Sequence, residues 1–196
     1  MAIEFIYRHI TRLAPTEIFA TRDMLIYGTR GAVDSALSRL VESGFIQRLA
    51  RGIFVREIPK DLNIEDIAIA KAKAFKIQLK LLPEYFLEKL GVPIEGYDAV
   101  YGRSGHSGSF DTIKGRVAFI GYGPRKMHLL DTIVGQAIFA LWLLGYKLCR
   151  EKDVDRMKLY FGREERDEVW RLGKVMPEWL YDLCGEYVQS RMRLLF

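Results

Sequence analysis

The sequence predicts an α+β fold in two parts, and three observations carry that prediction. Between Phe19 and Val55, a short helix, a glycine-bearing turn, a second amphipathic helix and a tight hairpin follow one another. Between Ala99 and Ile120, three short strand-like runs are separated by glycine, with helical patterns on either side. Pro59 to Asn63 reads as a linker, so a boundary falls near residue 60 and divides a part of residues 1–58 from a part of residues 64–196. Internal repeats and low-complexity runs are absent.

Ala2 to Leu13 carries Ile3, Phe5, Ile6, Ile10 and Leu13 at helical spacing, and Pro15 closes the pattern. Glu17-Ile18-Phe19-Ala20 reads as extended chain able to pair with the hairpin. Thr21 suits an N-cap, because its hydroxyl can accept a bond from an unpaired N–H of the first turn. Asp23 then sits in that turn, where the helix dipole favours negative charge. Gly28 offers the left-handed conformation that would end this short helix. Thr29 caps the next helix at once. There Val33, Ala36, Leu37, Leu40 and Val41 recur three and four residues apart and define one buried face. Arg30, Gly31, Asp34, Ser35, Ser38 and Arg39 form the opposite face. Gly44 stops the helix. Phe45–Leu49 and Ile53–Val55 read as strands joined through Ala50-Arg51-Gly52, with Gly52 supplying the positive φ of the turn. Ile6, Ile10, Leu25, Val33, Leu37 and Leu40 are the expected core of this part.

This order is that of a winged helix-turn-helix, which lays its second helix in the DNA major groove and a β-hairpin beside it. On that reading the DNA-binding candidates on the two helices are Thr21, Arg22, Thr29, Arg30, Asp34, Ser35, Ser38 and Arg39. Arg48 and Arg51 join them at the hairpin. Short polar side chains and arginine suit base edges and phosphates. An amphipathic helix with a polar outer face is, taken alone, ordinarily a solvated surface. Arginines flanking a hairpin tip move the reading to duplex DNA, because there they face only solvent or phosphate.

Charge agrees with that placement. The 196 residues carry a net +5, distributed unevenly. Residues 1–58 hold 8 Arg, no Lys and 6 acidic residues, a net +2, and residues 59–149 hold 12 basic against 9 acidic, a net +3. Residues 150–196 balance at 10 against 10, which makes them the poorest nucleic-acid surface. Arginine without lysine suits bidentate contacts to phosphate or guanine.

The second part reads as a helix over 64–77, a proline-started helix from Pro83 to Leu90, and strands at Ala99–Gly102, Gly108–Ile113 and Arg116–Ile120. Asp131 or Thr132 caps an apolar helix that ends at Gly145. A final helical region from Val154 is broken near Gly162 and Pro177. The apolar run Ile133–Tyr146 has 14 residues and contains Gln136, too short to span a bilayer, and reads as a buried helix. Glu4 and Arg8 interrupt the first apolar stretch, which does not read as a signal peptide. A cytoplasmic protein with no membrane association is expected.

Two stretches imitate chemistry. Gly102-Arg-Ser-Gly-His-Ser-Gly-Ser has the glycines and hydroxyls of a phosphate cradle but lacks the Gly-Lys-Ser/Thr ending, so a hairpin loop is expected. Gly121-Tyr-Gly-Pro-Arg-Lys-Met-His reads as a solvated basic loop. Cys149 and Cys184 are too few for a zinc site and read as free buried thiols. His9, His106 and His128 have no ligand-like spacing. Glu164, Glu165, Asp167 and Glu168 alternate with Arg163 and Arg166 as on a solvated helix. No nucleophile, base and orienting group can be named together, so no enzyme, cofactor or metal is expected.

With Thr29-Arg30, Ala32-Val33, Ala36-Leu37-Ser38-Arg39-Leu40, Gly44 and Arg48-Leu49-Ala50-Arg51-Gly52 in view, the chain resembles the AbiEi family of bacterial antitoxins. Gly123-Pro-Arg-Lys, followed by an apolar helix ending in Ala140-Leu-Trp-Leu-Leu-Gly145, resembles that family's second domain. The resemblance implies an antitoxin of a type IV toxin–antitoxin, or abortive-infection, system. Its N-terminal domain would bind repeats upstream of its own operon, as inverted repeats in double-stranded DNA, and repress it. Its C-terminal domain would counter a nucleotidyltransferase toxin of the AbiEii kind. The alternative is a winged-helix regulator whose second domain senses a ligand or protein, with no toxin.

Overall fold

The N-terminal amphipathic pattern folds as helix α1, Ala2–Arg12, with Ile6 and Ile10 fully buried. It opens the computed structural model, which describes residues 2–157 and 166–184. The chain divides into two compact units, and not at residue 60. One unit comprises Met1–Leu79, Gly96–Val100 and Ser107–Ile120; the other comprises Lys80–Glu95, Tyr101–His106 and Gly121–Phe196. The expected linker at Pro59–Asn63 therefore lies inside the first unit.

In the first unit, strand β1 (Phe19–Ala20) leads into a 3₁₀ helix, Thr21–Tyr27. Helix α2 (Arg30–Glu42) follows, and then strands β2 (Gln47–Ala50) and β3 (Ile53–Val55). Thr29 caps α2 as expected, its hydroxyl accepting from the Ala32 N–H at 3.4 Å. Val33, Ala36, Leu37 and Leu40 are buried, and each such Val or Leu contributes about 1.5–3 kcal/mol over an exposed one. Gly44, at φ +73°, ends the helix, and the N–H groups of Phe45 and Ile46 return to the Leu40 carbonyl. Gly52, at φ +78°, turns the hairpin. The extended segment pairs with it as anticipated, Phe19 opposite Phe54 and Ala20 opposite Ile53.

The short helix differs from its expected form. Gly28 is extended, at φ 165°, rather than left-handed. The N-cap is Ala20, whose N–H donates to Asp23 Oδ2 at 2.8 Å, and Thr21 is buried one residue inside. Three residues per turn put positions 21, 24 and 27 on one face. Met24 is accordingly fully buried and Tyr27 half-buried, while Leu25 and Ile26 are exposed. Met24 takes the core place expected of Leu25. Phe5 is likewise exposed and stacks on Tyr27.

Helix α3 (Ile64–Ala74) begins with a reciprocal cap: Asn63 Oδ1 accepts from the Asp66 N–H, and Asp66 accepts from the Asn63 N–H. It ends before 77, and Lys76 adopts a left-handed φ of 55°. Its Ile67, with Leu62, packs against Leu49, Ala50, Ile53 and Val55, so helix and hairpin share one core. Strands β6 (Gly108–Thr112) and β7 (Gly115–Tyr122) form a second hairpin that joins the first, with Thr112 opposite Ala50. Strand order in this unit is β1-β3-β2-β6-β7.

Strands β4 (Leu79–Leu81), which the sequence pattern does not reveal, and β5 (Ala99–Ser104) each have residues in both units. The 102–109 segment is thus not a hairpin loop: Gly102 lies within β5, and β6 makes its hairpin with β7. Helix α4 is Glu84–Lys89. The expected loop after Gly121 is instead the end of β7 followed by helix α5, Pro124–Leu129, with proline in its first turn. Helix α6 (Ile133–Leu144) is capped by Thr132 and buries every residue from Val134 to Leu141 except Gln136. Helices α7 (Glu151–Met157) and α8 (Arg166–Leu172) follow. The helix break expected at Gly162 and the Arg163–Asp167 charge run lie outside the described residues and side chains. Among the described residues no helix is long and apolar enough to cross a membrane.

Candidate nucleic-acid interface

The buried face of α2 fixes what its other face presents. Arg30, Asp34, Ser35 and Arg39 are exposed and Ser38 is half-buried. Arg30 Nε donates to Asp34 Oδ2 at 2.8 Å, one turn on, so Asp34 orients an arginine and its own acceptor is engaged. Arg39 is paired with no carboxylate among the described residues. Thr29 is exposed, but its hydroxyl oxygen serves the cap. Gly31 sits in the first turn, and a Cβ there would meet nothing within 4 Å. No internal packing requires glycine at that position.

On the hairpin, Arg48 and Arg51 are both exposed. The Arg48 guanidinium lies 5.5 Å from the Phe54 ring centroid, which steadies its stem and leaves its N–H groups outward. Thr21 does not join this surface. It is 4% exposed, its N–H donates to the Gly52 carbonyl at 3.0 Å, and it braces the hairpin turn from inside. Arg22 is exposed but stacks 4.6 Å from the Phe75 ring, which ties it to the end of α3.

Sequence reasoning missed one cation here. Lys71 of α3 reaches the hairpin, and its Nζ donates to the Arg51 carbonyl oxygen. The ammonium also lies 5.2 Å from the Phe75 ring and 5.3 Å from the Phe110 ring. Burial pushes its pKa below the usual lysine value, and the charges of Arg51 and Arg30 push it further. The only advance signal was a lysine on the polar face of a helix, which has no special look in one dimension.

The cations of the second unit are differently placed. Arg125 donates to the carbonyls of Val175 and Met176. Lys126 lies 4.9 Å from the Trp142 ring, and desolvation lowers its pKa. Lys80 is held by the Met127 carbonyl and the Asp131 carboxylate. Of the glycines that imitate a phosphate cradle, Gly102 is set by packing, since a Cβ there would fall 3.2 Å from Leu130 and 3.3 Å from Leu82, and Gly105 by its φ of +94°, while a Cβ on Gly108 would meet nothing within 4 Å. Cys149 and Cys184 are buried and free, and burial pushes their thiols up to about 11 and about 12.

A cleft of about 880 Å³ also opens in the first unit, between the end of α1, the 3₁₀ helix and α3. Its lining mixes apolar Leu13, Phe19 and Ile69 with Glu17, Arg22 and Lys73. No group of three or more His, Cys, Asp or Glu side chains is placed to hold a metal among the described residues.

No curated protein matches the sequence. A family model described as a family of unknown function, DUF6088, matches residues 6–169, and the chain belongs to that family.

Proposed function

We propose that this chain is a sequence-specific duplex-DNA-binding transcriptional autorepressor that serves as the antitoxin of an abortive-infection toxin–antitoxin pair. In this reading residues 1–58 form a winged helix-turn-helix. Helix α2 enters the major groove, and the β2–β3 hairpin lies on the adjacent backbone or minor groove. The observation that carries it is the joint exposure of Arg30, Ser35 and Arg39 on α2 and of Arg48 and Arg51 on the hairpin that follows. The opposite face of α2 is anchored in the core by Val33, Leu37 and Leu40, so the polar face is held rigidly. Rigid polar side chains on a helix, with arginines beside it, are what base and phosphate recognition requires. The antitoxin half rests on the likeness to AbiEi proteins, and its partner would be a nucleotidyltransferase of the AbiEii kind. The site is read as a binding surface without catalysis, in a cytoplasmic protein.

The purified protein should retain DNA from its own upstream region on the order of 10³-fold more tightly than unrelated duplex. Equal retention of both at physiological salt overturns the repressor. Co-expression with the adjacent gene product should relieve growth arrest, and unrelieved arrest removes the antitoxin role.

The 880 Å³ cleft favours a second reading, a winged-helix regulator with no toxin. It borders the 3₁₀ helix that precedes α2, so a small molecule seated there would bias the DNA-binding face. This regulator would release operator DNA when an effector is added.

A further inference from the structure

We infer that Lys71 of α3 belongs to the DNA-docking surface, where it contacts a backbone phosphate next to the one held by Arg51. This rests on the DNA-binding reading above and names a contact from outside the winged helix itself.

The argument begins with what Lys71 has and lacks. Its Nζ is tethered to the Arg51 carbonyl at the hairpin turn and lies 5.2 Å from the Phe75 ring centroid and 5.3 Å from that of Phe110. An ammonium has three N–H donors, and the tether occupies one. No carboxylate pairs with Lys71 or Arg51 among the described residues, and Asp34 is engaged by Arg30. The charges of Arg51 and Arg30 are close enough to depress the lysine's pKa. Half-burying a cation among other cations without an acid is unfavourable, and a bound anion would reverse the sign of that interaction.

The two side chains come from two elements, the hairpin turn and the last turn of α3. Arg30, whose charge also bears on Lys71, is the first residue of the 13-residue α2, where unpaired N–H groups add positive potential. Phosphates at this point would lock the hairpin to α3. Phosphate contacts of this kind position a protein on the duplex without reading sequence. Base-reading by α2 would thus be oriented by a residue beyond position 58.

The experiment uses the full chain with operator duplex and unrelated duplex over a series of salt concentrations. Lys71→Met keeps the apolar stem and removes the charge; Lys71→Arg restores charge; Arg51→Ala is the reference. Each phosphate contact contributes about 0.9 to the slope of log K against log salt. Lys71→Met should lower that slope by about 0.9 on both duplexes, leave the preference between them unchanged, and be rescued by Lys71→Arg. A lysine that only braces the turn would weaken binding or lower the melting temperature without moving the slope, and an unchanged slope overturns the Lys71 contact. Failure of the unaltered protein to bind either duplex instead overturns the DNA-binding reading itself.

Discussion

Two regions of this molecule carry the same basic residue types in opposite circumstances. On α2 and the β2–β3 hairpin, Arg39, Arg48 and Arg51 are exposed and pair with no carboxylate among the described residues. In the second unit, Arg125 is bonded to two main-chain carbonyls, Lys80 to a carbonyl and a carboxylate, and Lys126 lies against Trp142. The first set has donors available to a partner. In the second set, Arg125 and Lys80 have donors engaged inside the fold, and Lys126 is half-buried and desolvated. Net charge separates the two regions poorly, at +2 for residues 1–58 and +3 for residues 59–149. Whether a cation can serve a partner depends on where its N–H groups already point.

The largest expected effect breaks the notion that the DNA-binding part ends near residue 60. Leu62 and Ile67 complete the core formed by Leu49, Ala50, Ile53 and Val55. Burying each of two such side chains contributes about 1.5–3 kcal/mol, a large fraction of the 5–15 kcal/mol that holds a typical domain together. A fragment of residues 1–60 should therefore show no cooperative melt by circular dichroism. A sharp melt with retained DNA binding would restore the boundary at 60.

A sharper test compares neighbours in the 3₁₀ helix. Met24→Ala removes a fully buried side chain and should destabilise by about 2–5 kcal/mol in urea unfolding. Leu25→Ala, at a position 37% exposed, should cost less than about 1 kcal/mol. A larger cost at Leu25 than at Met24 would return the core place to Leu25.

Helix α2 was legible almost to the residue, because its signals are local: a threonine cap, a three-and-four spacing and a terminating glycine. The 3₁₀ helix was not, since seven residues fit either period and only packing selects three per turn. The hairpin's strands were readable, but their neighbours were not. The pairing of Ala50 with Thr112 links positions far apart in the chain, and no short pattern encodes it. The helix from Pro124 reads as a loop in the sequence because glycine and proline stand at its start, although proline also opens helices. Among the candidate residues, exposure on α2 and the hairpin followed from periodicity. The burial of Thr21 and the reach of Lys71 depended on tertiary contacts.

Smaller still is the effect expected at the thiols. Raised pKa values of about 11 and about 12 keep Cys149 and Cys184 protonated at neutral pH, and the reactive species is the thiolate. Alkylation of the folded protein at pH 8 should be slow and should accelerate on denaturation. Rapid labelling of either cysteine in the native state would contradict their burial.

The contrast between the two regions is tested most directly by the salt dependence of operator binding in paired double variants. Arg48→Ala with Arg51→Ala should reduce the slope of log K against log salt by about 2, one phosphate each, with sequence preference largely intact. Arg125→Ala with Lys126→Ala should leave the slope unchanged, whatever it does to stability. The opposite pattern, with the slope held by the second unit's cations and untouched at the hairpin, would contradict the assignment of α2 and the hairpin as the DNA-binding face.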